Sequence, residues 1–299
     1  MNISILGCNG FLSTAIGKYA NQKGWTLNMY GLDEPKGHSY DSFIKCNLMD
    51  AELDCSPLLD SDIIVYAIGA GIQSNLKEGF NLIYNLNVTA PVTICNKLKE
   101  LNYNGVFVTF GSVFEMGETK DARLFTETDI LTSTASAPSD YVVSKRMLTR
   151  FVTSYKHGYT HWHFIIPTIY GPGENPKRLI PYTIDAICNE KQLCFTSGLQ
   201  VRQYINVNEI PCILENSFRE GIPSGIYNIS SPDIFTVKEI VHKIHSYFGI
   251  EVPNGCFGTA SRQDVGMAYL ALDGSKLNNL ISRKKHLTIE EIIPEYLTK

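Results

Sequence analysis

The sequence predicts an α/β protein in which a doubly wound, mostly parallel sheet is joined to a smaller C-terminal lobe. Strand-like and helix-like segments alternate through the first half of the chain, which is typical of parallel strands connected by helices. A glycine-rich turn follows the first strand, and the alternation loosens after Tyr170, where Pro, Gly and Asn become more frequent. Ligands of such sheets bind at the carboxyl ends of the strands, near the point where the strand order reverses.

The strands predicted before residue 170 are short apolar runs. Because they alternate with helices, we expect them to form a mostly parallel sheet. In chain order they cover residues 3–6, 27–30, 63–67, 105–110 and 163–167.

Helices are predicted between these strands and again towards the C-terminus, where apolar residues recur at helical spacing. They cover residues 12–23, 82–101, 139–155, 180–190, 237–247 and 289–297. We expect a larger domain at residues 1–168 that also receives about 200–230. The smaller lobe would then comprise residues 169–199 and 231–299.

The turn after the first strand is the most informative local feature. Gly7 and Gly10 follow a short apolar strand and precede a helix that starts near Leu12. Backbone amides and the positive end of the helix dipole face an anion at such a turn, and glycine lets the main chain come close. The segment is therefore typical of a Rossmann-type site for a dinucleotide pyrophosphate. Taken alone, it fits an ordinary strand-to-helix turn equally well.

Composition and charge disfavour several classes of partner. Hydrophobic residues make up 44% and charged residues 19% of the 299 residues, as in globular rather than disordered chains. The net charge of −4, with no block of Lys or Arg, argues against nucleic acid and anionic membrane surfaces as partners. No apolar run is long enough to cross a bilayer, and the chain begins in a strand, so we expect no membrane span and no signal peptide.

The cysteines and histidines predict no metal site. Eight cysteines lie along the chain without a Cys-x-x-Cys pair and with apolar neighbours. Free thiols in a reducing, cytoplasmic location explain this better than disulfides or zinc. His157, His161 and His163 are close in sequence, but no Cys or acidic cluster accompanies them there, so we expect core or solvated histidines.

Tyr141 and Lys145 are four residues apart in a predicted helix and therefore share one face. An ammonium beside a phenol favours the phenolate, so we expect a lowered pKa for Tyr141, and a tuned phenol can exchange a proton with a carbonyl or hydroxyl. The same spacing at Tyr19 and Lys23 lies at the far end of the first helix and is interpreted as surface. Ser112 follows the strand at 105–110, where it could hydrogen-bond a reacting oxygen or simply turn the chain.

These motifs and several later ones resemble the extended short-chain dehydrogenase/reductase family, in particular the NAD-dependent epimerase/dehydratase group acting on nucleotide sugars. Gly7, Gly10 and Ser13 are similar to the family's Gly-x-x-Gly-x-x-Gly turn, and Tyr141 and Lys145 to its Tyr-x-x-x-Lys. The resemblance runs nearly end to end. Further matching segments are residues 47–48, 67–69, 87–88, 112–117, 167–173, 202–207, 227–229 and 262–265.

The resemblance implies a role for each matching position. The catalytic residues would be Ser112, Tyr141 and Lys145. The residues that bind the cofactor, NAD(P)H, would be Gly7, Asn9, Gly10, Phe11, Leu12, Asp33, Asn47, Leu48, Ala67, Ile68, Gly69, Asn87, Tyr141, Lys145, Pro167 and Ile169. The residues that bind the nucleotide-sugar substrate would be Ser112, Val113, Phe114, Tyr141, Thr168, Arg202 and Arg262. The larger domain would hold the dinucleotide and the smaller lobe the nucleotide sugar, with no metal.

Departures from the family pattern narrow these expectations. The acid that usually ends the second strand and holds the ribose of NAD would fall near Gly31, whereas Asp33 comes slightly later, so NADH and NADPH both remain open. The family's dehydratases carry an Asp-Glu pair directly after the catalytic Ser or Thr. Here Val113 and Phe114 follow Ser112, which argues against dehydration. Thr168 replaces a family Asn beside the sugar.

Three functions are compatible with these residues. The favoured one is NAD(P)H-dependent reduction of the 4-keto group of a nucleotide-linked 4-keto-6-deoxy sugar. The alternative is an NAD-dependent nucleotide-sugar 4-epimerase, which would use the same three catalytic residues. A non-catalytic dinucleotide-binding protein is the least favoured, because Ser112, Tyr141 and Lys145 are all present. The resemblance also implies a homodimer that pairs through the helices near 82–101 and 139–155.

Overall fold

A seven-stranded parallel sheet forms the larger part of the fold, and the predicted fold class is confirmed. The computed structural model describes residues 1–50, 53–72, 76–260, 266–283 and 286–298. Its strands are β1 (Asn2–Leu6), β2 (Thr26–Gly31), β3 (Ser42–Lys45), β4 (Ile63–Tyr66), β5 (Val106–Ser112), β6 (Thr160–Ile166), β7 (Thr168–Tyr170), β8 (Val201–Asn206), β9 (Gly225–Asn228), β10 (Ile234–Thr236) and β11 (Tyr269–Leu270). The large sheet has the order β3-β2-β1-β4-β5-β6-β9.

Helices connect the strands and cover both faces of the large sheet. They are α1 (Phe11–Gln22), α2 (Phe80–Tyr84), α3 (Ala90–Glu100), α4 (Glu127–Thr132), α5 (Asp140–Ser154), α6 (Leu179–Cys188), α7 (Glu209–Arg219), α8 (Val237–Tyr247), α9 (Ser275–Asn278) and α10 (Ile289–Leu297). A π-type turn, Asn85–Thr89, joins α2 to α3, and a short 3₁₀ turn, Val113–Met116, follows β5. Within the described residues, no helix is long and apolar enough to cross a membrane.

The core lies on both faces of the sheet. On one face, Ile16 of α1 and Ile210 of α7 pack with strand residues such as Ile5. On the other face, Ile94 and Leu98 of α3 form a second cluster with the sheet. These side chains are at most 1% exposed, and burying each stabilises the fold by about 1.5–3 kcal/mol.

The strand order reverses at β1, which has β2 on one side and β4 on the other. Because all neighbouring strands in this sheet are parallel, their carboxyl ends meet at one edge. The turn after β1, residues 67–69 after β4 and the end of β5 therefore lie beside one crevice. This is the position at which doubly wound sheets bind ligands.

A smaller sheet contains β8, which pairs with β7 and β11 in parallel and with β10 in antiparallel fashion. The segment expected to return to the larger domain, about 200–230, divides between the two sheets. Its helix α7 packs against α1 and its strand β9 extends the large sheet beside β6, whereas β8 belongs to the smaller sheet.

Candidate active site

A cavity of about 520 Å³ opens at the carboxyl edge of the large sheet, within the range typical of small-molecule sites. It runs from the turn after β1 to the start of α6. Of the residues predicted from the sequence, those that line it are Gly7, Asn9, Gly10, Phe11, Leu12, Asp33, Asn47, Leu48, Ala67, Ile68, Gly69, Ser112, Phe114, Tyr141, Lys145, Pro167, Thr168 and Ile169. The fold thus gathers segments far apart in sequence into one site.

The turn after β1 has the backbone required for close approach of a ligand. Gly7 has φ +100°, a conformation that favours glycine, and a Cβ there would run into the Ile68 side chain. Its amide donates to the Tyr30 carbonyl over 2.8 Å, which fixes the turn against β2. Gly10 is the residue before α1 and offers no side-chain cap, so the amides of the first helical turn keep their capacity to bind an anion.

Asp33 lies two residues beyond β2 and lines the same cavity. It is accompanied by Asn47 and Leu48, which follow β3. The Asn47 side-chain carbonyl accepts a hydrogen bond from the Met49 amide over 3.1 Å, which closes a small turn. The cavity therefore has a carboxylate near the carboxyl end of β2, the location from which such residues bind ribose hydroxyls.

Ser112, Tyr141 and Lys145 meet at the other end of the cavity. Ser112 is the last residue of β5, and its hydroxyl accepts a hydrogen bond from the Phe114 amide over 3.3 Å, so it also caps the 3₁₀ turn. Lys145 donates to the Phe110 carbonyl over 2.8 Å, and its Nζ lies 5.9 Å from the centre of the Tyr141 ring. These contacts hold the three side chains against the end of β5.

The expected lowering of the Tyr141 pKa is wrong. Burial raises the pKa of Tyr141 to about 12, and the Ser112 hydrogen bond offsets this only in part. The carboxylate of Glu115 adds to the rise. Burial also lowers the pKa of Lys145, and the negative charge of Glu115 offsets only part of that lowering. Tyr141 is thus a phenol that holds its proton at neutral pH, since desolvation of the phenolate outweighs the Ser112 hydrogen bond and the charge of Arg178.

Three of the predicted residues do not line the cavity. Asn87 is fully buried and braces residue 70, because its side chain accepts from the Ala70 amide and donates to the Ala70 carbonyl, each over 2.9 Å. Val113 is buried in a separate apolar cluster. The Arg202 guanidinium lies 5.8 Å from the ring centre of Phe114, which does line the cavity. Arg262 lies outside the described residues.

Arg178 is the cavity residue whose importance the sequence did not reveal. It precedes α6 and lines the cavity together with Phe114 and Thr168. Its Nε pairs with the buried Glu174 carboxylate over 3.1 Å, which orients the guanidinium. Its position shortly after the Tyr-Gly-Pro-Gly segment, at the start of a predicted helix, was the available signal. With Lys145 it gives the cavity two cationic side chains among the residues that the structure describes.

Three residues of types that can bind a metal ion lie close together near the start of β6, outside the lining of this cavity. The expectation that no cysteine accompanies the histidines is wrong: ligand atoms of Cys95, His157 and His161 lie within 4.8 Å of one another. His161 Nδ1 is 3.2 Å from His157 Nε2 and 4.0 Å from the Cys95 sulfur. Burial raises the pKa of Cys95 to about 12 and lowers that of both histidines, so the group consists of neutral, mutually hydrogen-bonding side chains.

The glycine turn, the acid beyond β2 and the Ser, Tyr and Lys set in one cavity define a dinucleotide-binding protein of the extended short-chain dehydrogenase/reductase type. Within that class, the model of the NAD-dependent epimerase/dehydratase family matches residues 3–230. The chain belongs to this family.

Curated relatives of known name match parts of the chain. Low-salt glycan biosynthesis protein Agl12 of Haloferax volcanii is 27% identical over 212 residues, which are 69% of this chain and 66% of the relative. CDP-abequose synthase of Salmonella typhimurium is 34% identical over 96 residues, 28% of this chain and 30% of the relative. The matched regions thus span about two thirds of the length of the first relative and about a third of the second.

Solved structures match over nearly the whole chain. The WbmG enzyme of Bordetella bronchiseptica, in complex with NAD and UDP, is 17% identical with a TM-score of 0.79, covering 99% of this chain and 92% of its own. UDP-glucose 4-epimerase of Thermotoga maritima, with UDP-glucose, is 16% identical with a TM-score of 0.82, covering 99% and 98%. At these identities the likeness concerns the fold.

Proposed function

We propose that this protein reduces the 4-keto group of a nucleotide-linked 4-keto-6-deoxy sugar with NAD(P)H. One observation carries the proposal. Ser112, Tyr141 and Lys145 share one end of the cavity, and among the described residues that line it the only carboxylate is Asp33, at the other end. Elimination of water from a sugar would require an acid and a base beside the substrate. The site instead suits a carbonyl that gains a hydride and a proton.

The described residues fit a bound dinucleotide. Gly7 and Gly10 line the cavity, and the first turn of α1 has no side-chain cap. These features leave room and amide donors for a pyrophosphate. Bound NADH or NADPH supplies the hydride that reduces the carbonyl carbon.

The protein's own residues polarise and protonate the carbonyl oxygen. Ser112 accepts from the Phe114 amide, so its hydroxyl proton is available to polarise that oxygen. Tyr141 then donates its phenolic proton to the oxygen, and the carbonyl becomes an alcohol. A phenol that stays protonated at neutral pH suits this direction of transfer. Lys145 holds the cofactor ribose in this proposal, close to the end of β5.

Asp33 supports NADH as the preferred cofactor. A carboxylate at this place accepts hydrogen bonds from the ribose hydroxyls of NADH but repels the 2′-phosphate of NADPH. Lys36 and His38, the nearby cationic or titratable residues, do not line the described part of the cavity. The Lys36 amide instead donates to the Asn9 side chain over 2.9 Å.

The nucleotide part of the substrate would bind towards α6 and β8. Arg178 lines the cavity there, and the Arg202 guanidinium lies 5.8 Å from the ring centre of Phe114. A planar guanidinium can donate two parallel hydrogen bonds to a diphosphate. Thr168 lines the same cavity as Arg178 and the catalytic residues, a position suited to contact the sugar.

A homodimer and a cytoplasmic location complete the proposal. Val143 and Met147 of α5 and Phe80 of α2 are apolar side chains with 36%, 47% and 62% exposure, respectively. Helices α2 and α5 are adjacent, so a second copy could cover both at once. The eight cysteines are free thiols, as suits a reducing compartment. Light scattering of the wild type and of Met147→Lys tests the dimer, since a charge at its centre should yield monomers.

The direct test mixes the purified protein with NADH or NADPH and a panel of 4-keto-6-deoxy sugars carried on UDP, dTDP or CDP. Loss of the reduced-nicotinamide absorbance with one sugar is the expected result and identifies the cofactor and the substrate together. Absence of any loss, with NAD⁺ released on denaturation and interconversion of 4-hydroxy epimers, would replace the reductase by the 4-epimerase.

A further inference from the structure

A fully buried carboxyl lies directly behind the candidate catalytic residues. Glu115 is in the 3₁₀ turn after β5, and its side chain points into the protein rather than into the cavity. The Ser112 amide donates to Glu115 Oε1 over 2.7 Å, and the Thr149 hydroxyl donates to Oε2 over 2.6 Å. Glu115 thereby ties the residue that carries the catalytic hydroxyl to helix α5, which carries Tyr141 and Lys145.

The hydrogen bonds continue away from Glu115 as a chain. Thr149 Oγ1 lies 2.9 Å from His163 Nε2, whose other nitrogen, Nδ1, lies 2.8 Å from Thr109 Oγ1. Thr109 Oγ1 in turn lies 2.9 Å from His161 Nε2. We refer to Glu115, Thr149, His163, Thr109 and His161 together as the Glu115 chain.

The protons of the Glu115 chain point in one direction. A hydroxyl donates one proton, and Thr149 gives its proton to Glu115, so His163 must donate from Nε2 and accept at Nδ1. Thr109 then donates to His163 and accepts from His161. Burial lowers the pKa of His163 to about 3 and that of His161 well below its ordinary range, so each ring is neutral and carries one N–H. When Glu115 is ionised, every donor in this chain of hydrogen bonds points towards its carboxylate.

The backbone makes room for this arrangement at Gly111. A Cβ at this position would lie 2.5 Å from Glu115 Oε1 and 2.8 Å from His163 Nε2, and it would also run into Ile165. Such distances are not tolerated by real side chains. The absence of a side chain at residue 111 therefore lets the carboxylate and the imidazole sit directly under the end of β5.

The charges that face Glu115 come from α5. Lys145 and Arg146 favour its ionised form against the effect of burial, which raises its pKa. Arg146 also donates to the Glu115 backbone carbonyl over 2.6 Å. From β6, the neutral His163 contributes hydrogen bonding through Thr149 rather than charge. In return, the charge of Glu115 favours the protonated forms of both Lys145 and Tyr141.

We propose that Glu115 is a positioning residue for the catalytic set. Its carboxylate, held by the Glu115 chain, fixes the backbone of Ser112 and supplies the negative charge that keeps Lys145 cationic. The role of Ser112 and Lys145 in turnover rests on the proposed function, but the charge on Lys145 can be followed by dinucleotide binding alone. The proposed reductase function and the positioning role of Glu115 can thus be refuted separately.

The test compares Glu115→Gln with wild type by titrating NADH into each protein across a range of pH. Loss of the facing negative charge lowers the pKa of Lys145 further, so NADH affinity should weaken at a pH about one unit lower in the variant. Glu209→Gln, which removes a buried carboxylate that is paired with Arg283 and His286 and is not among the residues lining the cavity, is the control and should leave the midpoint unchanged. An unmoved midpoint in Glu115→Gln overturns the proposal whatever the turnover.

A second pair of variants keeps the proposal testable if Glu115→Gln does not fold. Thr149→Val removes the hydroxyl that donates to the carboxylate but keeps the shape, and Thr149→Ser restores it. Thr149→Val should reduce kcat for whichever carbonyl substrate is used by about 10- to 100-fold, the scale of a misplaced catalytic group. KM for the sugar should change little, and Thr149→Ser should recover most of kcat. Equal kcat in both variants overturns the role of the chain.

Discussion

Replacing Tyr141 with phenylalanine should remove the proton donor while leaving the cavity wall in place. The phenol is hydrogen-bonded to Ser112, and its pKa of about 12 means that on the order of one molecule in 10⁵ is deprotonated at pH 7. Essentially every molecule of the wild type can therefore donate. Loss of a general acid lowers turnover by roughly 10²–10⁴-fold, or about 3–5.5 kcal/mol of barrier.

The assay is the loss of reduced-nicotinamide absorbance under saturating substrate, together with NADH titration of each protein. Tyr19→Phe is the matched control, because Tyr19 and Lys23 repeat the Tyr-x-x-x-Lys spacing outside the cavity. The Tyr19 hydroxyl donates to Glu215, and Lys23 pairs with the same carboxylate over 2.8 Å. Loss of the Tyr19 hydroxyl should lower the free energy of unfolding by about 1 kcal/mol and leave turnover unchanged.

Either of two outcomes would refute the reasoning about Tyr141. Unchanged turnover in Tyr141→Phe would show that the proton comes from elsewhere. A loss confined to NADH affinity, with kcat retained, would show that the residue binds the cofactor without taking part in chemistry. A loss of kcat at unchanged NADH affinity is the expected result.

Three further predictions concern other parts of the structure. Asp33→Asn should raise the efficiency with NADPH relative to NADH by about 10-fold, measured as kcat/KM, since the charge that repels a 2′-phosphate is removed; an unchanged ratio would place the ribose elsewhere. Arg178→Met should weaken UDP, dTDP or CDP binding by about 1.5–3 kcal/mol in calorimetry without changing NADH affinity, and an effect on NADH alone would contradict the subsite. Asp233 and Glu209 raise the pKa of His286 to about 9, so this ion pair stabilises the fold fully below pH 6.5 and its contribution is lost as the pH rises through 9. Thermal unfolding of the wild type should show a loss of about 2 kcal/mol in the free energy of unfolding across this pH range, whereas His286→Gln should not show it. Parallel pH profiles of stability for the two proteins would refute the role of His286.

Local patterns in the sequence were sufficient for the elements that frame the site. The predicted helices 237–247 and 289–297 coincide with α8 and α10, because each begins at a capping box, Thr236 with Glu239 and Thr288 with Glu291. In the large sheet, strands β3 and β9 were not predicted. β3 is only four residues long and half exposed, and β9 is bounded by Gly225 and Asn228, so neither has a strong apolar run.

The sequence by itself determined the fold class and the glycine turn, because the alternation of strands and helices and the turn after the first strand are local patterns. Its resemblance to a known family picked out Ser112, Tyr141 and Lys145 as candidate catalytic residues. Tertiary structure alone decided the electrostatics. It turned Glu115 away from the cavity, brought Arg178 into it and raised the pKa of Tyr141 where the sequence predicted a fall. The physical reason is that desolvation and hydrogen bonding depend on which distant segments enclose a group, and the spacing of residues along the chain carries no measure of that enclosure.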